Sequence, residues 1–314
     1  MEKQKLRLFM ALLLCSALIA CVSCGVKKGD PPGPHEEYGA RAEKIIYDVP
    51  YVPSMADNKD LALDVYYNPH HGKQPVAVMV HGGGWREGDK SMDNKVWICK
   101  CLANSGYVVF TLNYRLVPDV SMKQQVEDVM AGVIWVKEHA GEYGGDPNRV
   151  GVIGGSAGGH LAALVAWASD DPYFRPTGDP QSDYDSDVKV AGLYYPVIDL
   201  DRTFKDVGDG FSPLAGLYFT GKAGDEYRQA LEHLSPHNHV DRKATPTIFL
   251  TGDADELDLY PQSVEYTEKL RELGIDSELY TAPGKKHGFT WNYWEKESVE
   301  SVEALVSFFD KHLK

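Results

Sequence analysis

Cysteine is scarce in this chain: five in 314 residues, three of which (Cys15, Cys21 and Cys24) fall within the first 24. The other two, Cys99 and Cys101, lie two apart in a stretch with helical spacing and point to different faces, so no disulfide framework is expected. Both read as small buried hydrophobes. Basic residues are in deficit, 32 Lys and Arg against 46 Asp and Glu. A net charge of −14 repels a phosphate backbone and excludes nucleic acid as a partner. There is no His-Glu-x-x-His, and neither His70-His71 nor His237-Asn238-His239 has metal-ligand spacing on one helix face. The expectation is therefore no metal and no other cofactor. Repeats and low-complexity tracts are also missing. The remainder, 43% hydrophobic with 30 Gly and 18 Pro, has the apolar content of one large domain or two small ones, which excludes a disordered or collagen-like chain.

The first twenty residues stand apart. Lys3, Lys5 and Arg7 precede an apolar run over 8–20 that is short for a bilayer span and has the layout of an export signal. The run ends Leu18-Ile19-Ala20-Cys21, which resembles the lipobox of bacterial lipoproteins and implies lipid on Cys21. Residues 1–20 are thus read as a lipoprotein signal peptide and 21–42, rich in Gly, Pro and charge, as a flexible tether. Residues 43–314 are read as the folded domain. The expected location is exported and membrane-anchored, on the periplasmic or cell-surface side.

Within 43–314 the pattern becomes regular. Strand-like stretches over 44–52 and 61–67 lead, followed by a short apolar run at 76–80. Helical spacing at 93–104, 122–139, from 157, 263–273 and 298–312 then alternates with strands at 107–112, 150–153, 190–195, 247–251 and 277–280. This alternation predicts an α/β fold: a mainly parallel, doubly wound sheet with helices on both faces. The stretch 199–233 interrupts it and reads as an insertion between strands.

Between the strand at 150–153 and the next helix stands Gly154-Gly155-Ser156-Ala157-Gly158. Gly-x-Ser-x-Gly is ordinary on its own, but between a buried strand and a helix it is the context of a nucleophile elbow. The sharp turn needs flanking residues without bulk, and it aims the positive end of a helix at the reacting centre. Upstream, His81-Gly82-Gly83-Gly84-Trp85 follows another buried strand and matches a loop that supplies oxyanion-hole amides. The expected donors are the N–H groups of Gly83, Gly84 and Ala157, with Trp85 walling an acyl pocket.

A triad of this order needs an acid and then a histidine. The strand at 247–251 runs into Gly252-Asp253-Ala254-Asp255-Glu256-Leu257-Asp258, at the carboxyl end where sites of open parallel sheets lie. Asp255 is the chosen acid and Asp253 the runner-up; Glu256 and Asp258 read as solvated charges. His287 follows the next strand and is the chosen base, whereas His312 lies at a helix end and His237 and His239 in a polar loop. Trp291, Tyr293 and Trp294 read first as packing of the last helix on the sheet, and second as flat faces for sugar rings.

Taken together, these motifs over 43–314 resemble an α/β-hydrolase of the bacterial branch related to hormone-sensitive lipase and to acetylxylan and feruloyl esterases. The resemblance implies Ser156 as nucleophile, Asp255 as acid, His287 as base and Gly83, Gly84 and Ala157 as oxyanion donors. It also covers Asn113-Tyr114-Arg115 and Tyr143-Gly144-Gly145-Asp146-Pro147, both read as structural. The implied activity is serine ester hydrolysis of short acyl esters, acetyl or feruloyl, on a small ester or an acylated polysaccharide. Two alternatives stay open: amide, formamide or peptide hydrolysis on the same triad, and an inactive surface-binding lipoprotein.

Overall fold

The computed structural model describes residues 44–55, 57–69, 72–176, 185–205, 219–222 and 225–314. The expectations for the signal peptide, Cys21, the tether and His70-His71 lie outside the described residues. Eight strands form one sheet: Lys44–Pro50 (β1), Ala62–Tyr67 (β2), Gln74–Val80 (β3), Val108–Leu112 (β4), Gly145–Gly155 (β5), Val190–Tyr194 (β6), Thr247–Gly252 (β7) and Ser277–Ala282 (β8). Their order is β1-β2-β4-β3-β5-β6-β7-β8. The β1/β2 and β2/β4 pairs are antiparallel, and every later pair is parallel.

Burial follows from that order. Strands β3, β4, β6 and β7 are buried along their whole length, the condition that continuous Val, Ile and Leu runs require of a sheet covered on both faces. The edge strand β1 is mostly exposed. Helices Asp93–Asn104 (α1), Met122–His139 (α2), Ala157–Ala168 (α3), Leu259–Glu272 (α6) and Lys296–Leu313 (α7) supply the cover. Contacts run from α1 to α7 and from α2 to α3, so the helices pair in two layers. This is the expected α/β-hydrolase sheet. Cys99 and Cys101 are buried free thiols, as read.

The element bounds differ from expectation by more than two residues at two places. Strand β5 begins at Gly145 rather than 150, because Gly145 pairs with Gln74 before the register shifts and Val150 pairs with Val76. Helix α6 begins at Leu259 rather than 263; Pro261 sits in its first turn, where an N–H has no intrahelical acceptor to lose. Within the stretch read as an insertion, the described residues hold Leu200–Lys205 (α4) and Asp225–Leu234 (α5). Among the described residues no helix is long and apolar enough to cross a membrane.

Candidate active site

The site gathers at the carboxyl ends of β3, β5, β7 and β8. Ser156, between β5 and α3, has φ 58° and ψ −123°, a backbone conformation that L-residues rarely adopt. Its amide donates to the Tyr194 carbonyl of β6, which holds the turn to the sheet. Serine is a favoured helix cap, yet the Ser156 side chain makes no cap bond to α3. Its Oγ lies 2.9 Å from His287 Nε2 instead. Nδ1 of the same ring lies 3.0 Å from Asp255 Oδ2. The Asp255 side chain is fully buried, and its other oxygen accepts from the Leu257 amide. Ser156, His287 and Asp255 are thus brought into one hydrogen-bonded line.

The neighbouring acids have structural work. Asp253, the runner-up, accepts from the Gly284 amide at 2.6 Å and so joins the acid-bearing loop to the His287 loop. Glu256, expected to be merely solvated, also accepts from the His287 amide at 3.2 Å. Asp258 pairs with Arg202 of α4 at 3.0 Å. Glu256 stays exposed and the Asp258 side chain 40% exposed at the same time, and in each case the partner is too distant in sequence to be anticipated. His312, set aside as a base, pairs with Asp276.

The Gly-rich loop after β3 lies directly on the elbow. A Cβ on Gly82 would stand 2.5 Å from the Gly155 carbonyl oxygen and 3.3 Å from Ser156 Cβ. Gly83, at φ 128°, has no room for a side chain because the Glu87 carbonyl would be 1.8 Å away. Among the described residues, the amides of Gly83, Gly84 and Ala157 donate to no backbone carbonyl outside regular elements. That is the state an oxyanion hole needs. Trp85 is buried, with its indole N–H donated to His160 Nδ1 at 3.1 Å and its ring edge-on to Phe219.

His160 carries no recognised motif role, yet it braces the site from below. Its Nε2–H donates to the Leu234 carbonyl at 2.8 Å, while Nδ1 receives the Trp85 indole. Burial pushes its pKa down to about 4, so the ring is neutral and can accept that bond. His81, also lowered to about 4 by burial, stacks on Tyr114, whose hydroxyl donates to the His81 carbonyl. Arg115 makes a two-point pair with Asp128. Asn113-Tyr114-Arg115 therefore has the structural part expected of it. Beneath His287, the Tyr195 ring lies 4.9 Å away edge-on, with its hydroxyl 2.5 Å from Thr290 Oγ1.

The aromatic loop departs from its first reading. Trp291 and Trp294 are 52% and 60% exposed, so they do not pack the last helix on the sheet. The left-handed turn at Gly288 sends Phe289 and Thr290 inward in their place. Tyr293 does pack, stacked 5.8 Å from Trp97.

Sheet order, elbow and the loop after β3 together define an α/β-hydrolase. More narrowly, the chain belongs to the BD-FAE family, whose family model matches residues 63–270. It is 29% identical to Esterase LipQ of Mycobacterium tuberculosis over 82% of this chain and 59% of that protein. It is 41% identical to the versiconal hemiacetal acetate esterase of Dothistroma septosporum, over 75% of this chain and 72% of that one. A truncated carbohydrate esterase from gut microbiota shares the fold, with TM-score 0.73 at 20% identity over 86% of this chain and 96% of the other. The chain spans little more than half the length of several curated relatives, 59% of LipQ and 53% of the carboxylic ester hydrolase LipM.

Proposed function

We propose that the protein is a serine carboxylester hydrolase for short acyl esters, acetyl first and feruloyl second, carried on carbohydrate. The observation that carries this reading is the line from Ser156 Oγ through His287 to buried Asp255, on a serine that caps nothing. In the reaction His287 Nε2 takes the Ser156 proton as Oγ attacks the ester carbonyl. Asp255 holds the tautomer with hydrogen on Nδ1 and stabilises the imidazolium. The amides of Gly83, Gly84 and Ala157 receive the developing oxyanion, each such donor contributing a factor of about 10²–10³ in analogous sites. His287 then protonates the leaving alcohol, and water releases the acyl group by the same steps.

Support for the substrate class comes from three sides. The relatives named above are called esterases, one of them an acetate esterase and one a carbohydrate esterase. Trp291 and Trp294 hold exposed rings in the loop after His287, where an alcohol portion with sugar faces would be met. The basic and apolar start with Leu18-Ile19-Ala20-Cys21 supports export and a lipid anchor, and thus a substrate met outside the cytoplasm. Mass spectrometry of the membrane-extracted protein is expected to find lipid on Cys21.

The deciding experiment compares acetate and ferulate release from acylated xylo-oligosaccharides with hydrolysis of p-nitrophenyl esters of rising chain length and of matched anilides. Short esters and acylated sugars are expected to be cleaved and anilides spared. Preference for long acyl chains without sugar deacylation, or for the anilides, would displace this reading.

A further inference from the structure

Away from the triad, three side chains from separate parts of the chain converge: Asp171 after α3, His233 in the last turn of α5, and His239 in the short helix that follows. One ligand-type atom from each lies within 4.8 Å of the others. His233 Nε2 is 2.9 Å from Asp171 Oδ2, and His239 Nδ1 is 3.8 Å from that oxygen. Donors around a tetrahedral zinc ion, with bonds of about 2.0–2.1 Å, stand roughly 3.3 Å apart. The two measured separations bracket that value.

The surroundings are organised as a metal site needs. His239 Nε2–H donates to the His233 carbonyl at 2.7 Å, which leaves the Nδ1 lone pair free and facing the cluster. Asp171 Oδ1 accepts from the Tyr173 amide at 2.8 Å and so fixes the carboxylate while Oδ2 points inward. Tyr173 and buried Phe174 pack on the His233 ring, and Phe174 also on His239, giving the cluster an aromatic wall. The carboxyl end of α5, where His233 sits, is the end that favours a cation. Lys243, whose partner Asp170 adjoins Asp171, is held in an ion pair at 3.1 Å.

We propose that Asp171, His233 and His239 bind one divalent transition-metal ion of the zinc type, with the fourth position open to solvent. Two imidazoles and one carboxylate suit zinc and its neighbours and are poor ligands for calcium or magnesium, which take oxygen. On binding, Asp171 Oδ2 exchanges its hydrogen bond from His233 for the metal, and the His233 ring carries its proton on Nδ1. The ion ties the end of α5 and the segment after it to the loop that follows α3. The role is one of fastening, independent of the ester chemistry proposed above. Spacing along the chain conceals such a site, since His233 lies 62 residues beyond Asp171 and only His239 is near it.

The test uses the full chain without a histidine tag, stripped with chelator and titrated with zinc against a chromogenic competitor. Near one zinc per chain is expected, with Kd below about 10 µM. The melting temperature is expected to rise by about 5 °C at zinc near 100 times Kd. Calcium should give no shift. His233→Gln and His239→Gln, each checked for native near-ultraviolet dichroism, should both weaken uptake more than tenfold and remove the shift. No zinc uptake by the wild-type chain, or undiminished uptake in both variants, would overturn the assignment.

Discussion

The His81 carbonyl oxygen lies 2.3 Å from the point where a Cβ on Gly158 would stand, so the Gly-rich loop and the helix that starts after Ser156 meet backbone to backbone. The Val80 carbonyl is almost as close, at 2.4 Å. Two opposing effects decide what Gly158→Ala does. Alanine favours a helix by up to about 1 kcal/mol, but two backbone oxygens cannot turn aside, and overpacking of this kind costs about 1–3 kcal/mol. The clash is expected to win. Calorimetry should show a melting temperature several degrees lower, and kcat for p-nitrophenyl acetate should fall at least tenfold as the oxyanion amides shift. An equal or higher melting temperature with full activity would mean that the contact is looser than these distances state.

In the proposed mechanism nucleophile and base act as a unit, so their removal is expected to be drastic and the loss of the acid less so. Ser156→Ala and His287→Ala should each lower kcat by about 10⁵–10⁶, and Asp255→Asn by about 10⁴, since an amide at 255 favours the wrong imidazole tautomer. Fluorophosphonate labelling should vanish in the Ser156→Ala protein while dichroism stays native. Retained ester hydrolysis in that variant would remove Ser156 from the mechanism.

Why these three residues were readable while their supports were not is a matter of range. The elbow and the loop after β3 must meet within a backbone's width, and that demand is written locally as clustered glycine around Ser156 and after His81. Asp255 and His287 follow strands, so a carboxylate and an imidazole at strand ends are also a local signal. Glu256 and Asp253, by contrast, bond amides 31 residues away, and His160 joins residues 75 and 74 positions distant on either side. No short pattern encodes such partners. Trp291 and Trp294 look like packing residues in the sequence for a related reason: hydrophobicity alone does not tell which residues a left-handed glycine turn sends outward.

If the exposed tryptophans meet the sugar portion of a substrate, their loss should be felt only by substrates that carry one. Trp294→Ala and Trp291→Ala are expected to raise KM for acetylated xylo-oligosaccharides about 2- to 10-fold, the worth of one aromatic face. Hydrolysis of p-nitrophenyl acetate should stay within twofold of wild type. Equal effects on both substrates would point to a disturbed His287 loop instead, because Trp291 lies against Gly288, one residue from the base.

Lys95 of α1 is buried under the elbow, its Nζ only 2.7 Å from where a Gly155 Cβ would be. Burial lowers its pKa to about 8. The sign of the consequence is fixed by comparing the two states. The unfolded chain holds this proton up to about pH 10.4, and the folded one releases it near pH 8. Below pH 8 both states are charged, and the folded state bears the whole cost of a buried ammonium, up to about 3 kcal/mol. Between pH 8 and about 10.4 the folded state becomes neutral first, the cost fades, and above that range it is gone. Lys95→Met keeps the length of the side chain and removes the charge. Urea unfolding is therefore expected to find the variant more stable by about 1–3 kcal/mol at pH 7, with the gain shrinking towards zero by pH 10.5. A variant less stable than wild type at pH 7, or a gain that does not change with pH, would show that the ammonium is held by a favourable contact rather than merely tolerated.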